Sequence, residues 1–228
     1  MGTAERRERE KLQRQEEILD AAERVFIRKS LASATMDDIA EEAELSKGTL
    51  YLYFRSKELI YFGLDLRGSR ILRDRFREAV SKHPEGLNQI REIGLAYFAY
   101  AKQFPIYFQS MAYGERLDPQ ALKELSDEPI VLACREVEGD VLGIMVESLE
   151  RGMADGSIRQ GIKPIEVAVS LWAMSNGVIQ MYTNRGEYIG FEDVGLSSPQ
   201  FLLDTFHDFI YHSLAARPGQ FSPPCNKE

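Results

Sequence analysis

"SKGTLYLYFRSKEL", Ser46 to Leu59, opens with a Ser-Lys-Gly-Thr run, places three aromatic residues within four positions and closes on a small basic cluster. No acidic residue lies between Leu45 and Lys57, although the 228-residue chain has a formal net charge of −8. The spacing predicts a short helix with two unlike sides. Leu50 and Phe54, four residues apart, share one face and read as the packed side. Gly48, Thr49 and Leu52 fall on the opposite side, with Tyr51 and Tyr53 flanking them. Ser46 is the candidate N-cap, and Ser56 the candidate cap of the helix that follows.

The residues before this segment complete a pattern. Thr35 precedes Met36-Asp37-Asp38, an N-cap with an acid three positions on, which predicts a capping box. The short helix it starts buries Ile39, Ala40 and Ala43. A three-residue turn then leads to the helix opened by Ser46, which is helix-turn-helix spacing. Upstream, Ile18, Leu19, Ala22, Val25 and Phe26 form the apolar stripe of another helix, ending near Ser30. The outward face of the 46–53 helix carries two phenols, hydroxyls, a glycine and an ammonium. Hydroxyls and lysines bind phosphate oxygens. A glycine permits close backbone approach, and a helix N-terminus favours a phosphate. A locally cationic, hydroxyl-bearing face on an acidic protein is therefore read as a surface for a polyanion.

Charge elsewhere supports a local rather than a global basic surface. Residues 1–60 hold 11 Lys and Arg against 13 Asp and Glu, so even this part is not basic overall. The arm from Arg6 to Arg14 interleaves Glu5, Glu8 and Glu10 and reads as a solvated helical extension. Hydrophobic residues make up 44% and charged residues 28%, the composition of a folded globular chain. Cys134 and Cys225 form no spacing pattern, so no disulfide framework or zinc site is expected. No apolar run near the N-terminus suggests a secretory signal, and Arg6 stands where a myristoylation motif needs Ser or Thr. The longest apolar stretch, Ile165 to Tyr182, contains too many polar residues for a membrane span. A cytoplasmic protein without membrane contact is expected.

The rest of the chain predicts further helices and no strand. One runs from Lys57 to the His83-Pro84-Glu85-Gly86 punctuation, and another from Gly86 to Phe104, stopped at Pro105. Asp118-Pro119 opens a brief helix. Pro129 to Gly152 is long, and Pro164 sits at the first position of a helix that is apolar nearly all round. A last helix is expected from Ser198-Pro199, followed by a frayed tail from Arg217.

Thr35–Ala43 (TMDDIAEEA) and Ser46–Leu59, with the helix ending in Val25-Phe26 before them, resemble the DNA-binding domain of the TetR (tetracycline-repressor) family. The resemblance is specific over about residues 15–62. It is looser at Gly152–Arg159 (GMADGSIR) and at Leu171-Trp172 with Gly177. It implies an all-α homodimer that represses promoters and releases DNA when a small molecule enters the larger domain. It further implies that Lys47, Gly48 and Tyr51 reach base edges, while Thr35, Thr49, Tyr53 and Lys57 hold phosphates. Leu52 matches a variable groove-facing position, and Ser46 joins this DNA-facing set. One departure is Glu44, where the family usually has Gly at a left-handed turn; a Glu there costs on the order of 1 kcal/mol.

The expected organisation is an arm (1–14), a DNA-binding domain (15–60), an effector-binding and dimerisation domain (61–216) and a flexible tail (217–228). The aromatic run Tyr97, Phe98, Tyr100, Phe104, Tyr107, Phe108 and Tyr113 reads equally as core and as the wall of a small-molecule cavity. Cavity candidates are Tyr97, Tyr100, Phe104, Phe108, Met111, Met145, Trp172 and Met174, with Asn176 as a polar handle. Their chemistry calls for a small hydrophobic effector. Val167, Leu171 and Val178, with Phe201, Phe206, Phe209 and Ile210, are the expected dimer interface. The scattered histidines suggest no metal site, and no cofactor is expected. A helical-bundle enzyme with a DNA-binding head would need a catalytic constellation that the sequence does not display. A constitutive DNA-binding protein would need no cavity.

Overall fold

The computed structural model describes residues 2–114, 117–183 and 200–216. Among them are ten helices and no strand. They are α1 (Thr3–Lys29), α2 (Met36–Glu42), α3 (Lys47–Tyr53), α4 (Lys57–Ser81), α5 (Gly86–Gln103), α6 (Pro105–Gly114), α7 (Pro119–Leu125), α8 (Pro129–Asp155), α9 (Pro164–Thr183) and α10 (Gln200–Leu214). Local chemistry sets most of the boundaries. Thr35 and Asp38 form the capping box of α2, and the Ser46 hydroxyl accepts from the Thr49 amide at the start of α3. Asp118 caps α7 through the amides of Gln120 and Ala121. Pro105, Pro119, Pro129 and Pro164 each occupy a first helical position, where the missing N–H costs nothing. Ser56 does not act as the expected cap: its buried Oγ has no hydrogen-bond partner among the described residues. The expected start at Ser198-Pro199, the tail from Arg217 and Cys225 lie outside the described residues.

The chain divides into two compact units, and the division passes through α4 and α8. The first comprises the chain up to Ile71 together with Phe104–Glu138. Within α4 the division falls after Ile71, further along the helix than the boundary expected near residue 60. The core of this unit is the stripe Ile18, Ala22, Val25 and Phe26 of α1 against Ile39, Leu50, Phe54, Ile60 and Leu64. Phe26 stacks on Tyr61 with ring centroids 5.2 Å apart. Gly63 lets α1 approach closely: a Cβ there would lie 2.6 Å from a Leu19 methyl. The Cys134 thiol is buried, donates to the Phe62 carbonyl, and is pushed up by that burial.

The second unit comprises Leu72–Gln103 and the chain from Gly139 onward. Leu72, Phe76, Tyr97, Tyr100, Leu149, Ala168 and Ile179 are buried in it. The GMADGSIR stretch has a structural task here. A Cβ on Gly86 would meet the Gly152 backbone nitrogen at 2.1 Å, so α5 starts directly against α8. Asp155 Oδ2 accepts from the Gly86 amide at 2.8 Å, and Ser157 Oγ accepts from the Leu87 amide at 3.1 Å. The turn capping α8 thereby satisfies two of the unpaired donors at the start of α5. Burial would raise the Asp155 pKa, but the hydrogen bonds from Ser157 and Gly86 outweigh it and leave the carboxyl below its usual value.

Candidate DNA interface and effector cavity

The first three helices hold one another by charge as well as by packing. Arg24 Nε lies 2.6 Å from Glu42 Oε1, and Arg28 pairs with the same carboxylate. Lys29 Nζ lies 2.6 Å from Asp38 Oδ1. Asp38 is also bonded by the Thr35 amide at 3.0 Å, while its own amide donates to Thr35 Oγ1 at 3.2 Å. Lys29 and Thr35 hold the Asp38 carboxyl at about 2, below its ordinary value of 3.8. At the turn, Leu45 N donates to Ala40 O and Glu44 N to Glu41 O, the paired bonds of a Schellman ending. Glu44 has φ +54°, so this acidic side chain occupies the left-handed position.

On α3, Leu50 is fully buried and Phe54 nearly so, which fixes the helix on its support. Leu52 is 81% exposed and Tyr51 40% exposed. A Cβ on Gly48 would meet nothing closer than Ser46 Oγ at 3.9 Å, so the protein's own packing does not require glycine there. Ser46 and Thr49 hydroxyls lie 2.8 Å apart at the helix start. Lys47 Nζ lies 2.7 Å from Asp37 Oδ1, a surface pair that raises the lysine pKa. Tyr53 is partly covered. Lys57 is turned inward. Its Nζ donates to Ala34 O at 2.9 Å, approaches the Leu31 and Ala32 carbonyls, and stands 5.7 Å from the centre of the Tyr61 ring. Arg55 pairs with Glu128. Thr35, Ser46, Lys47, Gly48, Thr49, Tyr51 and Leu52 thus lie on the two adjoining short helices, with Lys57 engaged in the turn before α2.

The second unit contains a cavity of about 410 Å³. Phe76, Leu87, Ile90, Ile93, Tyr97, Met145, Leu171 and Trp172 give it apolar walls, and α10 adds Phe206 and Ile210. Tyr97 stacks on Trp172 at 5.1 Å, and its hydroxyl donates to Asn176 Oδ1 at 2.5 Å. Arg91, Asp204, His207, Asp208 and Tyr211 supply polar groups. Three of the sequence candidates, Tyr97, Met145 and Trp172, line this space. Tyr100 is fully buried but not on the wall, Met174 is 40% exposed, and Asn176 is the partner of Tyr97 rather than a wall residue. Phe104, Phe108 and Met111 belong to the other unit. The break at Pro105 sends the aromatic run into two units, and hydrophobicity along the sequence does not report that separation. Arg91, His207 and the α10 wall were not among the candidates. The one-turn spacing of Asp204 and His207 was the available signal, and it does not reveal what lies opposite.

The residues expected at a dimer interface divide as well. Leu171 is buried and lines the cavity with Phe206 and Ile210. Val167, Val178 and Phe201 are partly covered. The outward stripe of α9 is instead Ile165, Val169, Ala173, Gly177 and Met181, every fourth residue, and Phe209 of α10 is 61% exposed. Among the described residues, no group of three or more His, Cys, Asp or Glu gathers as a metal site. No described helix is long and apolar enough to cross a membrane.

Residues 18–62 match the family described as bacterial regulatory proteins, tetR family. The HTH-type transcriptional regulator YfiR of Bacillus subtilis is 49% identical over 57 residues, covering 23% of this chain and 28% of that protein. The fatty acid metabolism regulator protein of Bacillus subtilis is 25% identical over 173 residues, covering 70% of this chain and 84% of its own length. Among solved structures, the ketosteroid transcriptional regulator KstR2 of Mycobacterium tuberculosis superposes with a TM-score of 0.64 at 19% identity, over 90% of this chain and 96% of that one. The capped α2–α3 pair and these matches identify residues 18–62 as a domain of the tetR family of bacterial regulatory proteins, carried on an all-helical fold.

Proposed function

We propose that the chain is a cytoplasmic, ligand-responsive transcriptional repressor that binds a near-palindromic operator as a homodimer and is released by a small hydrophobic effector. The exposed side of α3 carries this reading. A helix anchored by Leu50 and Phe54 holds Tyr51 and Leu52 out to solvent beside an unobstructed Gly48. A thymine methyl suits Leu52, a phosphate or base edge suits the phenol of Tyr51, and the bare backbone at Gly48 leaves room for the duplex. Ser46, Thr49 and Lys47 frame this surface, and Lys47 exchanges Asp37 for phosphate on binding.

The cavity favours an effector over constitutive binding. Its volume lies within the ~300–1,000 Å³ of small-molecule sites, and its walls are mainly apolar. A fatty acid metabolism regulator and a ketosteroid transcriptional regulator among the similar proteins are consistent with a hydrophobic ligand. The chain crosses between the units within α4, between α5 and α6, and within α8, and these are the covalent routes from ligand to head. A 100-fold loss of operator affinity requires the effector to favour the DNA-incompetent state by about 2.7 kcal/mol. Two heads related by a two-fold axis read half-sites one helical turn or more apart, ~34–36 Å.

Fluorescence anisotropy with duplexes from the region upstream of the coding sequence, against random duplex, tests the reading. Gly48→Ala and Tyr51→Ala are expected to lose about tenfold or more on the specific site and little on random DNA, with unchanged thermal unfolding. Equal affinity of wild type and both variants for specific and random duplexes overturns it.

A further inference from the structure

His207 is the unusual member of the cavity wall. Its Nε2 is buried and has no hydrogen-bond partner among the described residues. A buried polar nitrogen without a partner costs free energy that the fold alone does not recover. Space for the ring comes from Gly94: a Cβ there would lie 3.3 Å from Nε2, tighter than ordinary contact. Phe98 meets the ring edge-on at 5.5 Å and Phe206 lies 6.3 Å away, so aromatic neighbours fix the imidazole. Gly94, Phe206 and His207 all border the cavity. Nε2 itself is covered, but the imidazole is held among residues that border an apolar cavity, and an unsatisfied nitrogen so placed calls for a partner that is a ligand atom entering beside it.

Resting on the effector reading above, we propose that His207 Nε2 is the hydrogen-bonding handle for the effector, and that the effector carries an uncharged oxygen function, an alcohol, ketone or ester, rather than a carboxylate. The charges around the handle disfavour the acid. Among the described lining residues two carboxylates, Asp204 and Asp208, share the wall with one arginine, Arg91, and Asp208 Oδ1 lies 3.2 Å from His212 Nδ1. A carboxylate there gives up its hydration beside two like charges, with one arginine to answer three acids. Burial first, and Arg91 second, push His207 below the usual histidine value against the opposing effect of Asp204 and Glu92, which keeps the ring neutral near pH 7. A neutral imidazole answers a neutral oxygen with an ordinary hydrogen bond.

Trp172 is the single tryptophan of the chain and lines the cavity, so its fluorescence reports occupancy. The full-length protein is titrated with 1-decanol, methyl decanoate and decanoate, and operator release is followed in parallel. At least one neutral probe is expected to bind tenfold or more tightly than decanoate. His207→Phe keeps the ring shape and is expected to weaken that probe about tenfold, with His207→Gln restoring most of the loss. Gly94→Ala, which crowds Nε2, is expected to weaken the same probe. Decanoate binding as tightly as both neutral probes overturns the inference, as does an unchanged affinity in His207→Phe. If the probes bind and release operator without headgroup preference, only the handle fails; if none binds, the effector reading fails with it.

Discussion

Two single residues carry consequences out of proportion to their exposure. Glu44 holds φ +54° at the turn between α2 and α3, where a β-carbon crowds the backbone. Replacing it with Gly is expected to raise stability by about 1 kcal/mol, seen as a higher urea midpoint at unchanged slope; a lower midpoint contradicts the strain. Lys57 is the second. Sequence resemblance makes it a phosphate ligand, but its ammonium serves three carbonyls of the 31–34 turn. Lys57→Met leaves those acceptors short of a donor and is expected to cost about 1–3 kcal/mol of folding stability. Unchanged stability, together with a shallower dependence of operator affinity on salt, returns the residue to the phosphate role.

At the scale of elements, α2 depends on its capping box. Lys29 and Thr35 depress the Asp38 carboxyl from 3.8 to about 2. The charged form is favoured by folding, so its stabilisation is present above about pH 4 and is lost as the pH falls toward 2. Thermal midpoints of wild type and Asp38→Asn are expected to differ at pH 6 and to converge by pH 2. A gap that is constant across this range removes the linkage. The same logic of local chemistry made the helices legible beforehand. Thr35, Ser46, Asp118, Pro129 and Pro164 announce starts that the structure has, because capping and the missing proline N–H act within one turn of chain. Ser56 failed for the reason that a cap needs a free amide in reach of its hydroxyl, which residue type alone does not supply.

For the whole molecule, the proposed dimer is the principal prediction. Ile165, Val169, Ala173, Gly177 and Met181 make one outward stripe on α9, with small residues that let another helix come close, and Phe209 stands exposed on α10. An isologous pairing of these two helices with their copies covers both. Light scattering is expected to give a dimer for the wild type and a monomer for Val169→Asp, at equal helicity. A monomeric wild type at micromolar concentration, or a dimer that ignores Val169→Asp, refutes the interface.

The all-helical class and the helix-turn-helix pair are legible in the chain alone, because a Leu50–Phe54 stripe and adjacent caps are properties of contiguous residues. The sequence leaves open which side of α9 faces inward: a helix apolar all round has no polar face to mark the solvent side. Packing between helices settles that Leu171 and Trp172 line the cavity while Val169 faces out. Only it brought His207 against Gly94, turned Lys57 into the 31–34 turn, and separated Phe104 and Phe108 from Tyr97. These outcomes depend on close approach between residues far apart in the chain, where the space left by one glycine or the reach of one side chain decides the contact, and such distances are set by how helices pack rather than by the periodicity of any one of them.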